Sequence, residues 1–139
     1  MNPQYGRAGL PRRPIVRSKP RFTHLSPQQV RLLDDWGRAL RQMFPETIGV
    51  VQVGSTLQRP DWRDVDVRII LRDAAYDHLA QGVAPRRLSL PLSMWGQQVT
   101  GLPIDCQLQP QRLATAKYST NQHPRNPLGV RDASGIEGA

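Results

Sequence analysis

Residues 64–71, Asp-Val-Asp-Val-Arg-Ile-Ile-Leu, read as a β-strand whose chemistry is at odds with itself. Val65, Val67, Ile69 and Ile70 are β-branched, favour extended backbone and gain stability by burial. Asp64 and Asp66 stand at i and i+2, so both carboxylates leave the same face of the strand and repel each other there. Such a segment needs an apolar layer on one side and something positive between the acids. The rest of the chain has to supply both.

The surrounding pattern predicts a small α+β domain. Ser26 is a good N-cap, Pro27 suits the first helical position, and Val30, Leu33, Trp36, Leu40 and Met43 recur at helical spacing until Pro45. A short β-rich run at 47–53 stops at Gly54-Ser55. After the 64–71 strand, Asp73 is expected to cap a brief helix closed by Gly82. Residues 89–101 read as another helix, with Leu92, Trp95 and Val99 on its apolar side and Gly96 inside it. Residues 102–110 form a third strand bounded by prolines, and a short helix follows at 111–118. The expected architecture is a small mixed sheet covered by helices, α+β with an α/β-like order.

Charge divides the chain. Of 139 residues, 19 are Lys or Arg and 11 are Asp or Glu, a net charge of +8. Arg7, Arg12, Arg13, Arg17, Lys19 and Arg21 supply six of those charges within a segment that holds four prolines and no acid. Residues 1–24 therefore read as a basic arm able to touch phosphates or an acidic partner, with a solubilising tail as the plainer alternative. Residues 25–118 carry the domain, and residues 119–139 read as a polar, flexible tail unable to build a core. No apolar run reaches the roughly 20 residues of a membrane helix, and the arm lacks the apolar stretch of a secretory signal. The lone cysteine, Cys106, excludes an internal disulfide and fits a reducing, cytoplasmic setting as core filler.

Asp105 repeats the oddity of the second strand, a carboxylate between apolar Ile104 and Cys106. If the second and third strands are neighbours, Asp64, Asp66 and Asp105 converge on one patch. Three carboxylates at close range need protons or divalent cations between them, and hard oxygen ligands suit Mg²⁺ or Mn²⁺. Gly54-Ser55 precedes that patch, where a glycine lets backbone approach an oxyanion and Ser55 can donate to a phosphate.

Gly54-Ser55 after a strand, Asp64-x-Asp66 in the next strand and Asp105 in a later one resemble the nucleotidyltransferase superfamily of DNA polymerase beta. The resemblance spans about residues 26–110. It implies that Asp64 and Asp66 bind two Mg²⁺ or Mn²⁺ ions, while Asp105 holds the catalytic ion and helps deprotonate an acceptor hydroxyl. Ser55 would contact the β- and γ-phosphates of an NTP, and pyrophosphate would leave as NMP passes to an RNA end, a small molecule or a protein. The chain departs from many relatives after the Gly-Ser, where Thr56, Leu57 and Gln58 stand and Arg59 is the nearest cation. Few residues follow Asp105, so the chain reads as a minimal core without the second helical domain of larger members, whose site would be open unless a homodimer or a protein partner closes it.

Other residues carry two readings each. Trp62, between the phosphate turn and the acidic strand, is either core or a platform for a base. Gln107 is placed to line the pocket. Arg68 shares a face with the acids: it either points past them toward Gln107 or substrate, or bridges Asp64 and Asp66 and excludes metal. The second case describes a catalytically silent domain that binds a nucleotide, nucleic acid or protein. Asp34, Asp35 and Asp61 read as solvated charges or caps.

Overall fold

A computed structural model of the chain describes residues 23–118 and 124–130. The elements run α1 (Pro27–Met43), β1 (Thr47–Val53), β2 (Val65–Leu71), α2 (Asp73–Gly82), α3 (Ser89–Thr100), β3 (Ile104–Pro110), α4 (Gln111–Tyr118) and β4 (Arg125–Pro127). The strands form one sheet in the order β3-β2-β1-β4. β1 pairs antiparallel with β2 and β4, whereas β2 and β3 run parallel. This is the α+β fold with a small mixed sheet that the sequence predicts. Among the described residues no helix is long and apolar enough to cross a membrane.

Alternation along the strands separates two faces. Val50, Val65, Val67, Ile69, Ile104 and Cys106 point to the main core, where Leu33, Trp36 and Leu40 of α1 and Leu92 of α3 cover them. Val51, Val53 and Ile70 occupy the opposite face and meet Ala114 of α4. The acidic residues share this second face, which α4 covers only in part.

α1 begins as its sequence requires. Ser26 accepts the Gln29 N–H at 3.2 Å, and the Gln29 side chain accepts the Ser26 N–H at 2.8 Å, a reciprocal capping box. The apolar stripe is not buried to its end: Leu33, Trp36 and Leu40 are in the core, whereas Met43 is 57% exposed. In α3 the apolar side also differs from expectation. Val99 is exposed, and the buried positions are Leu92, Ser93, Gly96 and Thr100. Gly96 is there because Trp36 is: a β-carbon at 96 would lie 2.7 Å from Trp36 Cζ2 and Cη2. The freed space lets the Trp36 ring meet Trp95 edge to face, with centroids 6.0 Å apart.

Two acidic residues do more than decorate. Asp73 opens α2, but its Oδ1 accepts the Arg112 backbone N–H at 2.9 Å and so caps the first turn of α4. Asp34 is fully buried rather than solvated, and its Oδ1 accepts the Gly129 N–H at 2.8 Å. This anchor belongs to a segment that its composition reads as coreless. Residues 125–127 add β4 to the sheet edge, Leu128 is fully buried, and Arg41 Nε donates to the Leu128 carbonyl at 2.8 Å. Gly37 makes room, since a β-carbon there would sit 2.6 Å from Leu128 Cβ. The remainder of 119–139, like residues 1–22 of the basic arm, lies outside the described residues.

Candidate active site

Parallel pairing of β2 with β3 sets Asp66 directly opposite Asp105. The register extends to Arg68 opposite Gln107, so all four side chains belong to the partly open face. Asp66 is half-buried. Its carboxyl is pushed above its ordinary value, mainly by burial; Arg68 pulls the other way, while Asp105, Asp64 and a hydrogen bond with Asp105 add to the rise. The repulsion read from sequence is thus present in the fold, but its strongest pair lies across strands rather than along one.

β1 delivers the Gly-Ser turn to this pair. Val53 pairs with Asp66, and the chain then turns at Gly54, whose φ is +82°. This left-handed backbone suits glycine, and space demands it too: a β-carbon would overlap Asp66 Oδ2 and lie 3.2 Å from its Cγ. Residues Gly54–Leu57 form a single 3₁₀ turn in which the Ser55 carbonyl accepts the N–H groups of Gln58 and Arg59. A buried polar cluster fixes the turn from below. Gln52 Nε2 donates to Thr56 Oγ1 at 2.9 Å and to Thr23 Oγ1 at 3.1 Å, and Gln52 Oε1 accepts from Asn126 at 3.0 Å. No local signal marks this cluster, because a glutamine in an apolar run has the pattern of a surface position, yet Gln52 is fully buried.

Arg68 follows neither route offered by its strand position. The buried guanidinium turns toward β3, where Nη1 donates to the Asp105 carbonyl at 2.9 Å and to the Val67 carbonyl at 3.0 Å. Nη2 stands 3.7 Å from Asp105 Oδ2, and Nε has no hydrogen-bond partner. The guanidinium therefore does not bridge Asp64 and Asp66. It holds the β3 backbone at Asp105 while offsetting the charge of the Asp66–Asp105 pair.

The other residues gather less tightly. Asp64 is exposed just before β2, near enough to Asp66 to raise its carboxyl. Among the described residues, no group of three or more His, Cys, Asp or Glu side chains is gathered as a metal cluster. Asp66 and Asp105 thus stand as a pair with Asp64 alongside. Gln107 is exposed and its Nε2 approaches Asp105 Oδ1 at 3.4 Å. Ser55 is half-buried in the turn. Arg59 is exposed and paired with Asp61 at 3.4 Å, and Trp62 packs partly buried against the main core. Cys106 lies on the far side of β3, buried, with its thiol pushed up to about 12, chiefly by desolvation. It is a neutral core residue and takes no part in the site.

Compared with protein-family models, curated proteins and solved structures, the chain matches none.

Proposed function

We propose that the chain is a divalent-metal-dependent nucleotidyltransferase, moving NMP from an NTP to a hydroxyl acceptor with release of pyrophosphate. The observation that carries the proposal is Asp66 facing Asp105 across β2 and β3 with the Gly54 backbone pressed against the Asp66 carboxylate. The residues suit a hard cation. Two carboxylates with a third beside them offer oxygen donors only, and the Asp66 carboxyl, raised by burial and like charge, is a group that a cation would relieve. Asp66 and Asp105, with Asp64, would hold Mg²⁺ or Mn²⁺, which when bound supplies charge for the entering and leaving oxygens.

The chain's own residues do the positioning. The Gly54 backbone packs directly against the Asp66 carboxylate, so a phosphate held at the acid pair lies beside the turn, where Ser55 can donate. Asp105 is partly exposed and is the carboxylate able to take the acceptor hydroxyl proton. The acceptor oxygen then bonds to the α-phosphorus, the bond to the β-phosphate oxygen breaks, and pyrophosphate carries away that electron pair. Arg68 holds the backbone of Asp105 and keeps the two acids in register. Nothing here requires a covalent intermediate; orientation and charge suffice.

Arg68 beside Asp105 also favours a second reading, a catalytically silent domain that binds nucleotide without turnover. One experiment separates them. The full chain is incubated with each labelled NTP, Mg²⁺ or Mn²⁺ and candidate RNA, protein and metabolite acceptors. Transfer of label with pyrophosphate release, lost by more than about 100-fold in Asp66→Asn and Asp105→Asn, supports the enzyme. Nucleotide binding without transfer supports the silent domain, and absence of both sinks the family of readings.

A further inference from the structure

β4 is three residues long, yet five separate interactions secure it and the two residues after it. Asn126 reaches the buried Gln52, the Leu128 N–H donates to the Val50 carbonyl at 2.7 Å, and Leu128 is fully buried. Asp34 accepts the Gly129 N–H, and Arg41 Nε donates to the Leu128 carbonyl. Strand alternation then leaves Arg125 on the opposite face, the one that bears the acids. Arg125 is exposed, and its guanidinium has no hydrogen-bond or ion-pair partner among the described residues.

Register places that cation in line with the candidate active site. Arg125 pairs with Val53, Val53 with Asp66, and Asp66 with Asp105, a single row across all four strands. At strand spacings near 4.8 Å, the Arg125 Cα lies about 10 Å from that of Asp66. Beside it, between α4 and the β1–β4 edge, a cleft of about 230 Å³ has Val51 and Ile70 in its floor and Arg41, Gln111, Thr115 and Arg125 at its rim. It falls short of the roughly 300 Å³ at which pockets begin to enclose a whole small molecule, so it suits an end group. Two guanidinium groups, a hydroxyl and an amide are donors for an oxyanion.

We infer that this cleft is an oxyanion subsite, with Arg125 as its principal donor, for a phosphate group of the substrate. The inference rests on the nucleotidyl-transfer reading for the identity of the phosphate, and it deepens that reading by naming where the chain grips it. Carboxylates at one end of the row and a guanidinium at the other give a polyphosphate opposite electrostatic demands at its two ends: bound cation at one, direct cationic contact at the other. The chemistry also explains why so short a strand is anchored so firmly. A binding arginine is useful only if its backbone does not move.

Binding is measured by calorimetry with inorganic tripolyphosphate, orthophosphate and citrate in about 0.15 M salt and EDTA, so that neither metal nor turnover is needed. Wild type, Arg125→Gln and Arg31→Gln are compared as full chains, with Arg31, an exposed residue of α1, as a charge-matched control. The expected result is tripolyphosphate binding that weakens at least tenfold in Arg125→Gln and less than threefold in Arg31→Gln, with unchanged melting curves. Citrate binding as tightly as tripolyphosphate would make the subsite one for carboxylates and overturn the assignment to phosphate. Equal losses in the two variants would reduce the effect to net charge, and absence of binding in the wild type would remove the subsite. A protein that binds tripolyphosphate through Arg125 but transfers no NMP would defeat the enzyme reading alone.

Discussion

Gly54 lies so close against Asp66 that a β-carbon on the glycine would overlap the aspartate Oδ2. The turn and the acid pair are therefore one mechanical unit, and each limits what the other can be. Gly54→Ala meets two penalties: about 1–2 kcal/mol for a left-handed alanine, and the displacement of the Asp66 carboxylate. Denaturant melts should show a loss above that range. In a double-mutant cycle with Asp66→Ala, the overlap disappears while the backbone penalty remains, giving a coupling of about 1 kcal/mol or more. Strict additivity would show that the carboxylate swings aside at no cost.

Asp66 itself gives a pH signature. Its folded-state carboxyl is raised above the ordinary 3.8, so the folded protein binds that proton more tightly than the unfolded chain does. The contribution of Asp66 to stability therefore falls as pH rises from the unfolded value through the folded one, and above that window the carboxylate weakens the fold. Asp66→Asn should melt at the same or a higher temperature at pH 7, with the difference vanishing below about pH 4. Its Mn²⁺ affinity should fall more than about tenfold. A destabilisation of about 3 kcal/mol at pH 7 would mark Asp66 as half of a structural ion pair with Arg68 and remove it from the metal site.

Gly96 sets helix propensity against packing. Alanine would favour the helix by about 1 kcal/mol, but its methyl would press on the Trp36 ring at 2.7 Å. Overpacking in a filled core costs about 1–3 kcal/mol, so the larger effect should win. Gly96→Ala is expected to lower stability by up to about 2 kcal/mol and to alter the near-ultraviolet signal of the Trp36–Trp95 pair. A stabilised variant would show that the ring can retreat.

Leu128 tests whether the last described residues belong to the fold. It is fully buried against the main core, so Leu128→Ala should cost about 2–5 kcal/mol. Amide exchange should quicken at Leu128, whose N–H bonds to Val50, before it quickens in β2. A neutral substitution would mean that β4 is not a working part of the sheet.

Much of this architecture was legible because local patterns and tertiary packing agree. The N-cap at Ser26 with Pro27 behind it, the β-branched run of β2 and the proline limits of β3 each act within a few residues. Those signals place the elements, and the shared apolar period places Leu33, Trp36, Val65 and Val67 in the core. The candidate acids were legible for the opposite reason: Asp66 and Asp105 contradict the strands that carry them.

Local sequence sets the elements from α1 to α4, with β1 to β3 among them, and the alternation along those strands, since both follow from backbone preference and the two-residue period. β4 and the strand partners come from packing in three dimensions. Asp66 meets Asp105 because β2 and β3 run parallel in one register, and Arg68 turns to the Asp105 carbonyl because that acceptor lies on the neighbouring strand. Asp34, Gln52 and Leu128 are buried, and Arg125 joins the acidic row, through contacts 74 to 95 residues apart along the chain for the pairs Gln52–Asn126 and Asp34–Gly129. No local pattern encodes such pairs. A short polar segment becomes a strand only when an unpaired sheet edge and a buried acceptor are already there to receive its N–H groups.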